Sequence, residues 1–302
     1  MSWLLITILA YFFLAVVSLF DRYFLIGSIP NPRVYTFYVG IVWFFLCFIF
    51  IPFGISFPTI DIIVLGLSVG LIRIFAILFL AKSLFREEVS RVVPAIGGFL
   101  PIFSFLLFFI FFPESGLLNL LQIAAFILLV CGSALISIKK FDKGFLNFKD
   151  LRYPILSAFL FALNFFLIKN LFLRVSFLDG FFFLLLGGGL GAVIFLIFKE
   201  VRKDVFAQKI TTKISGIFLA GQIFGGLGVL LQNYAVFLAM PYQVPLINAL
   251  EGARYVFLLF FVFLLAKKFP QLLKEEIGGK IIFQKIFAIL FIGAGLAILA
   301  IK

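Results

Sequence analysis

Residues 122–136 read QIAAFILLVCGSALI and residues 285–299 read KIFAILFIGAGLAIL. Aligned without gaps, Ile123 falls on Ile286, Ala125 on Ala288, Gly132 on Gly295 and Ala134 on Ala297. Two apolar runs that carry small residues at matching positions share a helix-packing pattern. Working outward, runs of the same kind fill the chain almost end to end: 3–20, 34–52, 62–85, 92–112, 117–138, 153–171, 176–198, 214–239, 244–266 and 281–301. A hydrocarbon core of about 30 Å takes roughly 20 helical residues to cross. These runs predict ten transmembrane helices, an all-α integral membrane protein, with links too short to be domains.

Composition excludes a soluble fold. Hydrophobic residues make up 65% of the chain and charged residues 13%, against about 25% charged in soluble domains. The 48 Phe allow an aromatic cage for a cationic or flat ligand, but lipid-facing positions and codon bias account for them more simply. No basic residue precedes the first run, and Asp21 and Arg22 close it, so it reads as a retained helix rather than a cleaved signal. Cys47 and Cys131 fall mid-span, where a thiol acts as a small hydrophobe. With no His and no Cys cluster, nitrogen and sulfur metal sites are not expected, nor is a cofactor.

Basic residues are biased between loops. Odd-numbered loops hold Arg22 and Arg33, then Lys82, Arg86 and Arg91, then Lys139 to Arg152, then Lys199 to Lys213, then Lys267 to Lys285. Even-numbered loops hold only Lys169 and Arg174. Basic loops resist translocation, so the odd loops are expected on the cytoplasmic side of the cell membrane and both termini outside. The net charge of +12 is then a topology signal, not a mark of nucleic-acid binding. The link Lys267 to Lys285 has room for a short surface helix around Gln271 to Ile277, as a solvated connector or a docking segment. No obligate protein partner is expected.

Residues 1–150 and 151–302 each contain five runs. Their first runs correspond, with Ala15 opposite Ala162 and Arg22 opposite Lys169. Their third runs carry Gly66-xxx-Gly70 and Gly221-xxx-Gly225, faces that let helix backbones approach closely in lipid. Because five is odd, the second half enters the membrane in the opposite sense. An inverted repeat encloses a central site that can open to either side.

Phe112-Pro113-Glu114, then Leu121-Gln122 and an Ile/Ala/Gly-rich fifth span, resemble the EamA module of the drug/metabolite transporter superfamily, and Pro270, Glu275-Glu276 and Gln284-Lys285 repeat the pattern. The resemblance spans the chain as two modules. It implies ten helices in two inverted halves, a central cavity, and export of metabolites such as amino acids or nucleotide-type molecules. Pro113-Glu114 stands where many members have Gly-Glu, and the second half delays its acidic pair. The chain also resembles the small multidrug transporters of that superfamily, but positions around Phe13 and Leu14 offer no counterpart to their first-helix glutamate.

An ionisable group at membrane depth costs at least about 2.5 kcal/mol, so it faces a cavity or a partner. Arg73 sits in the third run; Glu251 and Arg254 sit in the ninth at a separation of three, on one helical face. In one reading Glu251 and Arg254 pair as structural glue while Arg73 snorkels. In the other, all three line the cavity, leaving it net positive and suited to a carboxylate or phosphate. Glu251 is also the candidate for proton coupling. Asn164, Gln222, Gln232, Asn233, Tyr234, Asn248 and Tyr255 add donors and acceptors, with Asn248 one turn from Glu251. Pro94, Gly97, Gly98 and Pro101 in the fourth run and Pro245 and Gly252 in the ninth predict kinks at equivalent places, a candidate gate.

The expected function is therefore secondary active transport, an exporter of a small polar metabolite, anionic or zwitterionic, by alternating access. A lipid flippase or scramblase using the same cavity is the alternative. An enzyme is not expected, because acid/base or nucleophilic groups do not converge.

Overall fold

The structure is a computed structural model, and it describes residues 2–87, 89–112, 118–137, 148–207, 212–265 and 279–300. Among these, ordered structure is helical throughout: α1 (Ser2–Ile26), α2 (Pro32–Cys47), α3 (Ile60–Arg86), α4 (Val89–Phe111), α5 (Leu120–Ser137), α6 (Phe148–Phe172), α7 (Phe177–Val193), α8 (Lys199–Ala207), α9 (Thr212–Leu238), α10 (Val244–Ala249), α11 (Glu251–Leu265) and α12 (Gly279–Ala300). Seven helical stretches among the described residues are long and apolar enough to cross a membrane, and three shorter apolar runs lie at Ala95–Phe111, Leu120–Gly132 and Ile286–Leu299. The chain is an α-helical multi-pass membrane protein.

Local chemistry sets the helix ends. Asn31 caps α2 by accepting from Arg33 N–H, with Pro32 in the first turn, where a missing N–H costs nothing. Ser176 caps α7, and Asp179 accepts from Ser176 Oγ, Ser56 N and Ser56 Oγ at 2.7 to 2.8 Å, which ties the α2–α3 link to α7. At the other ends, Arg22 donates to the Leu84 carbonyl in the last turn of α3, and Lys169 Nζ donates to the Val236 and Phe237 carbonyls in the last turn of α9 at 3.2 Å each. Both satisfy carbonyls that no helical N–H can reach. They are the two residues that the sequence alignment matches.

α1 packs along α9, α6 along α3, α2 along α7, and α5 along α12. The α5–α12 contact is reciprocal. A Cβ on Gly132 would lie 2.9 Å from Ala288 O and 2.7 Å from Ile292, while one on Gly295 would lie 3.0 Å from Ala125 O and 2.8 Å from Leu129. Higher numbers on one helix meet lower numbers on the other, so α5 and α12 run antiparallel and are related by a local two-fold. Only Gly permits this backbone approach.

Several sequence expectations are refined. α1 continues past Asp21 and Arg22 to Ile26. The seventh run ends as a 3-10 segment, Ile194–Ile197, and the following link forms α8, whose charged pattern lacks the apolar stretch that marks the others. The ninth run divides at Leu250 into α10 and α11, between Pro245 and Gly252, whereas α4 is helical through both Pro94 and Pro101. The surface helix expected at Gln271 to Ile277, and the Pro113-Glu114, Pro270 and Glu275-Glu276 motif positions, lie outside the described residues.

Candidate functional site: a charged cavity inside the bundle

A cavity with about 840 Å³ of atom-free space, its open mouth included, lies between α1, α2, α3, α4, α6, α9 and α11. Most lining residues come from the helix halves joined by odd-numbered loops, among them Leu14, Val17 and Asp21 on α1, Tyr35 and Val39 on α2, Arg73, Ile77 and Leu80 on α3, and Val93, Ile96 and Leu100 on α4; Trp43 lies nearer the far end of α2. Toward the other face the helices are tied together, by Tyr11 Oη donating to Ile247 O at 2.9 Å and by the Lys169 contacts.

The expected charges do converge here. Arg73, Glu251 and Arg254 all line the cavity and are 3%, 3% and 9% exposed, so neither Arg reaches an interface by snorkelling. Their environments differ. Arg254 Nη1 donates to Glu251 Oε1 at 2.6 Å, Nε to Leu14 O at 3.1 Å, and Nη2 to Ser18 Oγ at 2.6 Å. Each of its three nitrogens thus has a partner, which stitches α11 to α1, and Glu251 is held as its counter-ion at the first turn of α11, where the helix dipole favours a carboxylate.

Arg73 has no carboxylate partner among the described residues. Nη1 donates to Asn164 Oδ1 and Nη2 to Gln232 Oε1, both at 3.1 Å, and Nε has no partner. Asn164 is oriented for this by donating its own Nδ2 to Val69 O at 2.8 Å. The rings of Phe161 and Phe165 flank the guanidinium, each with its centroid 5.8 Å away. Neutral amide oxygens and ring faces are its direct contacts, and Glu251 acts on it only electrostatically, so an anion entering the cavity meets a cation that is not held in a direct ion pair.

The cavity wall also contains a carboxylate that the sequence reading left at the end of the first span. Asp21 faces the cavity and accepts a hydrogen bond from Tyr35 Oη. Two carboxylates and two guanidiniums therefore line the wall, and the expected net positive charge is corrected to a balanced one. The reason is helical continuity: α1 extends far enough to carry Asp21 inside rather than into the loop.

The remaining expected residues divide. Gln222 and Gln232 line the cavity, and Asn164 supports it through Arg73. Asn248 donates to Ser104 Oγ at 2.8 Å, Tyr255 donates to the Val93 carbonyl, and Asn233 donates to Val229 O at 2.7 Å. Those contacts knit α10 and α11 to α4 and stiffen α9. Tyr234 is 37% exposed and packs edge-on against Phe177. Gly97 lets α4 approach α11: a Cβ there would lie 2.5 Å from Tyr255 Oη and 2.9 Å from Glu251 Cγ. The donor set among the described residues contains no group of metal-ligating side chains.

No protein-family profile matches the chain, and no curated protein matches it. Solved structures do. One, described only as "Crystal structure of protein", superposes with a TM-score of 0.65 at 17% identity, covering 99% of this chain and 96% of its own. At that identity the likeness concerns the fold alone.

Proposed function

We propose that the protein is a secondary transporter of the EamA type, built as ten membrane helices in two inverted five-helix halves, that moves a small polar metabolite through the cavity by alternating access. Three observations support the architecture: the antiparallel reciprocal contact of Gly132 and Gly295, the Arg22 and Lys169 contacts at matched positions, and the packing of α1 on α9 alongside that of α6 on α3. In this reading the odd loops are cytoplasmic, both termini are outside, and the cavity faces the cytoplasm in this conformation. The division of the ninth span at Leu250 provides a hinge, with Gly97 on α4 making room for the Tyr255 and Glu251 side chains.

The single observation that carries the substrate class is Arg73, buried and in no salt bridge among the described residues. A substrate carboxylate or phosphate would complete it by a bidentate charge-assisted contact. Asp21, which accepts from the Tyr35 hydroxyl, feels Arg254 electrostatically and is in no salt bridge among the described residues, offers a complementary point for a cationic group, so a zwitterion fits the balanced wall better than a simple anion. Asp21 is also better placed than Glu251 to accept a coupling proton, because Glu251 is neutralised by Arg254.

The test is a thermal-shift screen of the purified protein against amino acids, organic acids, nucleotides and sugar phosphates, since a bound ligand stabilises by mass action. Arg73→Gln is expected to fold and to bind the stabilising ligand about ten- to a hundredfold more weakly, the loss of about 1.5–3 kcal/mol for a charge-assisted bond. Equal shifts in wild type and Arg73→Gln would contradict the assignment. Uptake of that ligand into proteoliposomes, against translocation of a labelled lipid headgroup, separates a solute transporter from a flippase.

A further inference from the structure

Outside the cavity, three cations gather around one aromatic ring at the odd-loop end of α3 and α6. The Arg152 guanidinium lies 4.6 Å and that of Arg86 4.9 Å from the Tyr153 ring centroid, and Lys82 Nζ lies 5.6 Å from it and 4.9 Å from Phe79. Phe79 and Tyr153 stack at 6.1 Å, so the two helices share the platform. Lys82 is also within electrostatic reach of Arg33, Arg86 and Arg152. Among the described residues none of Lys82, Arg86 and Arg152 is in a salt bridge, while Arg33 is 3.5 Å from Glu200. Like charges held this close repel one another, and ring faces offset that only weakly at exposed sites. Among the described residues no carboxylate forms a salt bridge with the three.

The surface next to the cluster indicates which anion suits it. Arg152, Leu156 and Phe159 follow at i, i+4 and i+7, one stripe of α6. Arg152 is exposed, and Leu156 and Phe159, 39% and 40% exposed, face outward along the same stripe. On α3, Phe85 is 41% exposed beside Arg86. A charged head position therefore continues directly into a greasy track running toward the middle of the membrane, with Tyr153 at the level where aromatic rings mark the interface. A soluble phosphate would use the head position and leave the track empty.

We propose that this cluster is a binding site for an anionic phospholipid, its phosphate held between Lys82, Arg86 and Arg152 and its acyl chain lying along Leu156 and Phe159. The site is independent of the transport reading, since it requires only that α3 and α6 end at a membrane surface. Each cation contributes about a fivefold change in affinity for an anionic membrane headgroup.

The experiment is native mass spectrometry of the full chain in detergent, titrated with dioleoylphosphatidylglycerol, and in parallel with dioleoylphosphatidylcholine and with glycerol 3-phosphate. The expected result is retained phosphatidylglycerol on the wild type, about fivefold weaker on Arg152→Gln and roughly a hundredfold weaker on the triple variant Lys82→Gln, Arg86→Gln, Arg152→Gln. A control that removes the same charge from α8 (Lys199→Gln, Arg202→Gln, Lys203→Gln) should retain the lipid as the wild type does. Equal loss in the control would reduce the effect to net charge and overturn the site. Equal binding of phosphatidylcholine would overturn the anionic specificity, and equal binding of glycerol 3-phosphate would overturn the lipid track. If the triple variant does not fold, the single exposed substitution Arg152→Gln decides by the same readout.

Discussion

Two guanidiniums line one cavity, and among the described residues one of them, Arg254, is in a salt bridge while Arg73 is not. Arg254 is bonded to Glu251, Ser18 and Leu14, whereas Arg73 holds two amide oxygens and leaves Nε without a partner. Replacing Arg254 strands a buried carboxylate, so Arg254→Gln is expected to lower stability by about 3–5 kcal/mol, read as a drop in thermal midpoint without ligand. Arg73→Gln instead acts on binding. Asp21→Asn keeps an acceptor for Tyr35 Oη but removes the charge. It is expected to flatten the pH dependence of transport while Glu251→Gln does not, and a pH profile unchanged in Asp21→Asn would remove Asp21 from coupling. Arg73, Glu251 and Arg254 were legible in the sequence because a charge stands out against an apolar run. Asp21 was not, because an acid followed by Arg22 at the edge of such a run looks like a loop. Its partner, Tyr35, is brought near only by the packing of α2. Asn248 and Tyr255 showed the opposite failing: their polarity was visible, but their partners Ser104 and Val93 lie on another helix.

At the scale of elements, small residues decide how close the helices come. The matched Gly132 and Gly295 were legible because a glycine repeated at one helical register has few uses in lipid other than contact. Gly295→Ala and Gly132→Ala are expected to cost similar amounts, about 1–3 kcal/mol each, since the new methyl meets a backbone carbonyl and a branched side chain in both. Gly293→Ala, two residues away with nothing within 4 Å, should be neutral or stabilising by up to about 1 kcal/mol through helix propensity. Thermal unfolding of the three variants checks this, and a destabilised Gly293→Ala with a tolerant Gly295→Ala would reverse the assigned face. The break at Leu250 was only half legible. Pro245 and Gly252 signalled a weakness, but the same residue types in α4 leave that helix continuous. Pro94 and Pro101 lie beyond the first turn of α4, and a proline inside a membrane helix frees one backbone carbonyl without by itself ending the helix. The short helix α8 was missed because its charged residues carry no membrane signal, and its place is set by contacts such as Asn31 to Asp204 at 3.2 Å.

For the whole molecule, hydropathy and half-chain similarity outlined a helical membrane protein before any contact was known, because lipid allows few alternatives to bundled helices. What hydropathy could not reveal is which faces of those helices look inward, since lipid and core are equally apolar. The cavity is a product of that choice: seven helices contribute to it, and most of its wall is Leu, Val, Ile and Phe. Alternating access requires that this cavity be reached from both sides of the membrane in turn. Val229 lines it and is buried. A Val229→Cys variant, with Cys47 and Cys131 replaced by Ala, can be labelled in oriented vesicles with a membrane-impermeant maleimide added to one side at a time. Alternating access predicts labelling from both sides, with the ratio shifted by the stabilising metabolite; labelling confined to one side, with or without that metabolite, would contradict it.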